Sequence, residues 1–186
     1  MLTGRAHPLP VVVLAVSLAL GMSGCVAPTP DPTPSASAAP SASPLFDSDE
    51  EALAAATEAY AAYLAASDLV GQGGWQNLEA VAAFVNTEAL AADTAVADRY
   101  REAGYVQSGA TSFDSVRVQQ VQSDEVVAYL CLDATQVDVV DATGVSIVNR
   151  SQARRGEFLI SFTPVLNDPE RLLVGRSEVW SGADFC

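Results

Sequence analysis

The chemistry open to this chain is limited by the reactive side chains it carries. Its 186 residues include a single histidine, His7, three cysteines and no lysine, and 23 acidic residues face nine arginines. His7 lies in an N-terminal segment that we expect to be removed. Without imidazole or amine groups, serine–histidine hydrolysis, histidine-based zinc sites and Schiff-base chemistry are excluded. Only carboxylates, arginines, tyrosines and hydroxyls remain, and we expect no metal and no cofactor.

The N-terminal segment, residues 1–24, has the pattern of an export signal. Arg5 precedes an apolar run at residues 11–20 (VVVLAVSLAL), and small residues follow it. A helix needs about 20 apolar residues to cross a bilayer, and this run has about half that number. The sequence therefore predicts a cleaved signal peptide and not a membrane-spanning helix.

The end of this segment, Met22-Ser23-Gly24-Cys25, resembles the bacterial lipobox. The resemblance implies that Cys25 receives a diacylglycerol, that the signal is cut before it, and that acyl chains such as palmitate hold the protein on the outer face of the cell membrane. Two buried chains, at about 0.8 kcal/mol per methylene, give stable attachment. The alternative is an ordinary secretory signal with an incidental cysteine.

A linker follows the proposed anchor. Residues 25–44 are rich in proline, alanine, serine and threonine, so the segment cannot bury enough apolar surface to fold. Extended at about 3.1 Å per residue, it reaches nearly 60 Å from the membrane. The remaining residues, 45–186, are enough for a single globular domain.

The other two cysteines, Cys131 and Cys186, are available to each other once Cys25 is lipidated. Thiols outside the cytoplasm tend to oxidise, so we expect a Cys131–Cys186 disulfide that fastens the C-terminus to an internal strand. The alternative is a buried free thiol at Cys131 with a frayed terminus.

The charge of the mature chain restricts its partners. Loss of Arg5 with the signal leaves 23 acidic residues against eight arginines, a net charge of −15. Such a surface repels phosphate backbones and anionic lipid. We therefore expect no nucleic-acid partner, and contact with the membrane through the acyl anchor alone.

The first half of the domain has helical patterns. Ser48 and Glu51 form a capping box at the start of a first helix, which should stop near Asp68. Its predicted apolar face comprises Leu53, Ala56, Tyr60, Tyr63 and Leu64. A short second helix is predicted from residue 77, with Leu78, Val81, Ala82 and Val85 facing inward. A third is capped by Thr87 and stops at Gly104.

The second half has strand patterns. Runs rich in β-branched and aromatic residues occupy 113–121, 125–133, 137–141, 156–165 and 171–181, separated by turn formers such as residues 167–170. Helices followed by consecutive strands predict an α+β domain whose helices pack on a strongly curved antiparallel sheet.

This order of elements resembles the nuclear-transport-factor-2-like superfamily, which includes the SnoaL-like proteins and whose sheet curls into a cone around a cavity. The segments YLCLDATQVDVVDATG and VWSGADFC, with the strand at 154–165, are similar to secreted actinobacterial proteins of that type. The resemblance implies a cavity closed by the N-terminal helices. Superfamily enzymes commonly use a histidine with an aspartate, and no histidine is available here, so no catalytic residue is transferred.

Four aromatic side chains, Tyr60, Tyr63, Phe158 and Phe162, are candidates to line such a cavity. The alternative is that they are ordinary core residues. A basic cluster at Arg150, Arg154 and Arg155 is expected to pair with nearby acids, or to contact an acidic partner.

Three functions follow from these features. The sequence favours a non-catalytic, lipid-anchored extracytoplasmic domain that binds or scaffolds an envelope protein or a small apolar ligand. The second is a cavity enzyme of the isomerase or dehydratase type using Asp or Glu with Tyr. The third is an accessory assembly domain of a secretion or cell-wall machine. A buried carboxylate beside a tyrosine in an open cavity would favour the enzyme, whereas a filled cavity would favour partner binding.

Overall fold

The computed structural model describes residues 43–182 and 185–186. The predicted signal peptide, Cys25 and nearly all of the predicted linker lie outside these residues. The elements are α1 (Asp49–Gln72), a 3₁₀ turn (Leu78–Ala80), α2 (Thr87–Glu102), β1 (Val106–Ser108), β2 (Ser112–Val121), β3 (Val126–Asp133), β4 (Asp138–Val140), β5 (Arg155–Val165) and β6 (Asp168–Val179).

The main sheet has the order β2-β3-β5-β6, and every neighbouring pair is antiparallel. The short strands β1 and β4 form a second antiparallel pair. The predicted α+β class with an antiparallel sheet is therefore confirmed. The main sheet is open, because its edge strands β2 and β6 do not pair with each other.

Helix α1 begins where the sequence predicts. The Ser48 hydroxyl accepts a hydrogen bond from the backbone N–H of Glu51 at 3.2 Å and so satisfies one free donor of the first turn. Ala52, Ala56, Tyr60 and Leu64 recur every four residues and are buried. The predicted end near Asp68 is wrong: the helix continues to Gln72, since buried contacts of Asp68 and Gly71 hold its last turn against β1.

The core lies between α1 and one face of the sheet. Strand residues two apart share a face, and the inward set on β3 and β5 comprises Val126, Ala128, Leu130, Ile160 and Phe162, all fully buried. Burying a side chain as large as Leu, Ile or Phe contributes about 1.5–3 kcal/mol. These side chains therefore fix α1 on the sheet.

The second predicted helix is wrong. Only a 3₁₀ turn forms at Leu78–Ala80, after which residues 84–86 run alongside β6. The Val174 N–H donates to the Phe84 carbonyl and the Asn86 N–H donates to the Val174 carbonyl, both at 2.9 Å. Val81 and Val85 are buried as predicted, but Ala82 is exposed. The backbone of this segment therefore forms hydrogen bonds with the edge strand β6 in place of helical ones, and it covers part of that edge.

Helix α2 is capped by Asn86 and not by Thr87, because the Asn86 side chain accepts from the Ala89 N–H at 2.9 Å. It ends at Glu102, two residues before Gly104, whose φ of +69° suits glycine. The five predicted strands are confirmed with shifted ends, and β1 was not predicted. The turn predicted at 167–170 is wrong, because β6 already begins at Asp168 and the hairpin turns at residues 166–167.

Candidate functional site

The four aromatic residues predicted to line a cavity lie on α1 and β5. Tyr60 and Phe162 are 2% and 0% exposed, and Tyr63 and Phe158 are partly buried against the same core. The rings of Tyr60 and Phe162 meet edge-on, 6.4 Å apart. The structure therefore places these residues where the core interpretation expects them.

A polar contact lies at the edge of this aromatic group. The Tyr63 hydroxyl donates to Asp93 Oδ1 of α2 at 3.3 Å. Asp93 Oδ2 is buried and has no hydrogen-bond partner among the described residues. Burial raises the pKa of Asp93, although the Tyr63 hydrogen bond opposes the rise. Burial likewise raises the pKa of both Tyr60 and Tyr63, so both hydroxyls stay protonated.

The predicted disulfide is confirmed. Cys131 on β3 is bonded to Cys186, with Cα atoms 5.6 Å apart. The C-terminal segment returns to the sheet face opposite α1, where Tyr129 contacts the rings of Trp180 at 4.8 Å and Phe185 at 6.2 Å. The disulfide and these aromatic contacts hold the C-terminus on the sheet.

The basic cluster pairs with acids, which is one of its two predicted roles. Arg155 bonds Asp114 at 2.8 Å and approaches Asp133 at 3.5 Å, while Arg150 bonds Asp138 at 3.0 Å. The Arg155 hydrogen bond lowers the pKa of Asp114, and a Ser146 hydrogen bond is the main cause of the lowered pKa of Asp138. Arg154 bonds backbone carbonyls. The cluster fastens the loop between β4 and β5.

A buried carboxylate on α1 was not predicted. Asp68 Oδ1 accepts from the Gln107 side chain at 2.6 Å, and Asp68 Oδ2 accepts from the Thr111 N–H at 2.8 Å. The Thr111 hydroxyl adds a third bond at 3.1 Å. Because these bonds satisfy the carboxylate and it is 8% exposed, its role is to hold β1 and the start of β2 on α1.

A groove lies between α1 and the start of β6, and we call it the α1 groove. It consists of two adjoining cavities of about 390 and 520 Å³ that share Ala55, Glu58 and Glu170. Its floor is apolar and includes Ala59, Ala62, Phe84, Leu172, Leu45, Phe46 and Ala54.

The rim of the α1 groove is acidic. Its carboxylates are Asp47, Glu51, Glu58, Asp168 and Glu170, and all five side chains are exposed. Within residues 43–182 and 185–186, none of them has an ion pair or a side-chain hydrogen bond. The one rim guanidinium, Arg171, donates to the Ala83 carbonyl at 2.8 Å. Five carboxylates and one guanidinium give the rim a formal charge of −4, and a cleft with such an excess of one sign concentrates its field on an incoming partner.

Only the α1 side of this groove could be predicted from the sequence. Glu51 and Glu58 are seven residues apart and lie on one helical face with alanines between them, which was readable. Asp168 and Glu170 are more than 100 residues away and reach the groove only through the β5–β6 hairpin. Their approach depends on the fold.

Residues 43–182 and 185–186 contain neither a metal site nor a membrane-spanning helix. No set of three or more His, Cys, Asp or Glu side chains there is arranged to hold a metal ion. None of the helices in that part of the chain is both long and apolar enough to cross a membrane.

Comparison of the chain with models of known families, with curated proteins and with solved structures finds no match.

Proposed function

We propose that this protein is a lipid-anchored extracytoplasmic binding protein whose domain docks an envelope protein in the α1 groove. In this proposal the domain is a variant of the nuclear-transport-factor-2-like cone in which core side chains fill the central space. It is non-catalytic, and its contact with the membrane is made by the acyl group on Cys25.

The location is supported by three features of the chain. The Met22–Cys25 segment resembles a lipobox, and the linker that follows can carry the domain well away from a bilayer. The Cys131–Cys186 disulfide is a bond that forms and persists in oxidising compartments outside the cytoplasm. A cleaved signal and a stable disulfide are both consistent with an exported protein.

The single observation that carries the binding function is the α1 groove itself. It has an apolar floor, a rim of five exposed carboxylates without partners among the described residues, and an open volume large enough for a segment of polypeptide. Apolar surface gives affinity on burial, and rim charges give orientation and specificity. An apolar floor with a charged rim is better suited to binding a protein segment than to catalysis.

The second candidate is the cavity enzyme, and the Tyr63–Asp93 contact is the observation in its favour. An aspartate with a raised pKa beside a protonated tyrosine is a plausible acid–base pair. Binding is preferred because Tyr60 and Phe162, which would form the wall of the substrate cavity, are buried in the core.

The proposal is tested in intact cells of a bacterial host that processes lipoproteins. A photo-crosslinking residue replaces Ala54, which lies in the groove, or Ala61, an exposed α1 residue that does not line it. We expect labelled palmitate on the chain but not on a Cys25→Ala variant, and a discrete protein adduct from position 54 but not from 61. Equal adducts from both positions, or none from either, would refute groove docking.

A further inference from the structure

We infer that the occupant of the α1 groove is a cationic, amphipathic polypeptide segment in which arginine or lysine side chains alternate with apolar ones. This inference rests on the proposed function and deepens it by giving the chemistry of the partner. It follows from the shape, the charge and the floor of the groove.

The dimensions of the groove fit a short segment. Its α1 wall runs from Glu51 to Ala62, which at about 1.5 Å per helical residue is about 16 Å. An extended chain at about 3.3 Å per residue places about five residues along this wall. The cavities of about 390 and 520 Å³ are in the range of ordinary ligand clefts.

The charge of the groove selects a cation. Glu51 and Glu58 on one wall face the hairpin that carries Asp168 and Glu170. By contrast, Asp114, Asp133 and Asp138 are paired with arginines of the same chain. The carboxylates of the groove thus remain available for the positive charges of a partner.

The floor of the groove favours a polypeptide over a small polyamine. The partly exposed side chains of Leu45, Ala59 and Phe84 offer aliphatic and aromatic surface between the two acidic walls. A polyamine would engage only the carboxylates, whereas a segment with alternating side chains places cations on the rim and apolar groups on the floor. The two parts of the groove are then used together.

The test measures binding of a synthetic peptide of about ten residues, alternating arginine with leucine, to the purified full chain by calorimetry. The double variant Glu58→Gln/Glu170→Gln removes two rim charges. Its matched control, Glu79→Gln/Glu102→Gln, removes two exposed charges that do not line the groove. We expect the affinity to fall at least about tenfold in the first variant and to change less than about twofold in the second.

A second pair of variants tests the position of the peptide. Ala54→Arg places a positive charge and a large side chain in the groove, and Ala61→Arg adds the same side chain elsewhere on α1. Both positions are exposed, so both variants are expected to fold, which circular dichroism checks. We expect the Ala54→Arg variant to lose peptide binding and the Ala61→Arg variant to keep it.

Three results would overturn the inference. They are absence of binding to the unmodified protein, equal weakening by both double variants, and equal affinity for spermine or for a peptide whose leucines are replaced by serine. If the peptide fails to bind while position 54 still gives its discrete adduct in cells, groove docking stands and the cationic partner is wrong. If the peptide does not bind and position 54 gives no discrete adduct, the proposed function is refuted as well.

Discussion

Asp68 is an acidic residue buried within α1, where its carboxylate receives three hydrogen bonds from Gln107 and Thr111. Hydrogen bonds to a charged group contribute more than neutral ones, and removing the carboxylate leaves buried donors without an acceptor. Asp68 is therefore the residue at which a single change should most affect the packing of β1 on the helix.

We predict that Asp68→Ala lowers the free energy of unfolding by about 2–4 kcal/mol. Urea denaturation measures the change. The exposed Glu102→Gln variant is the control and should stay within about 0.5 kcal/mol of the parent protein. A loss for Asp68→Ala as small as that of the control would show that the Gln107 and Thr111 contacts do not stabilise the fold.

Asp93 leads to a prediction about pH. Burial raises its pKa in the folded protein above the ordinary value of 3.8. As pH rises above 3.8 the unfolded chain therefore loses this proton first, and the native state becomes relatively less stable. We predict that Asp93→Asn stabilises the protein at neutral pH and that its advantage shrinks to nothing as pH falls below 3.8. Urea denaturation at several pH values checks this, and an advantage independent of pH would contradict it.

Residues differ in how well the sequence predicts their roles. The Cys131–Cys186 pairing was predictable because the lipobox resemblance assigns Cys25 to lipidation, which would leave only these two thiols to pair. The role of Asp68 was not, because its partners are 39 and 43 residues away, on and after a strand of only three residues. An acidic residue in a predicted helix is normally expected on the solvent-exposed face.

At the scale of elements, the start of α1 is encoded locally. Ser48 adopts extended backbone and caps the helix, and Asp49, Glu50 and Glu51 lie in the positive first turn. We predict that Ser48→Ala costs about 1 kcal/mol of unfolding free energy. Thermal denaturation measures it, with the exposed Ala61→Ser as a comparison in the same helix. No difference between Ser48→Ala and the parent would contradict the capping role.

Elements that depend on distant partners were predicted less well. Residues 84–86 were predicted to end the second helix, yet their backbone pairs with β6. The end of α1 was placed too early, because glycines suggest a stop whereas Gly71 is held in the helix by close packing of Gln107. Strand existence was predictable from β-branched and aromatic runs, but strand ends and the minor sheet depend on register.

At the scale of the whole molecule, the disulfide joins the C-terminus to a central strand across 55 residues. The cross-link restricts the unfolded chain, which in the chain-entropy model stabilises the protein by about 4 kcal/mol. We predict a loss of up to that amount in Cys186→Ala, measured by urea denaturation. Reduction of the parent protein should give the same result, and an unchanged stability in both would show that the Trp180 and Phe185 contacts hold the terminus unaided.

At the same scale, charge is distributed unevenly over the described domain. The described domain neutralises several of its acids with arginines but leaves five carboxylates without partners around one apolar groove. The overall acidity was evident from the sequence, and its concentration at the α1 groove was not, since the β5–β6 hairpin supplies part of the rim. A docked partner must cover these carboxylates.

Carboxyl footprinting is the most direct test of that claim. Intact envelopes and purified full-length protein are treated with a water-soluble carbodiimide and an amine, and modification of each carboxylate is measured by mass spectrometry. We predict that Glu58 and Glu170 are protected in the envelope relative to the purified protein, while Glu102, outside the groove, reacts equally in both. Equal modification of all three residues in both preparations would contradict the account.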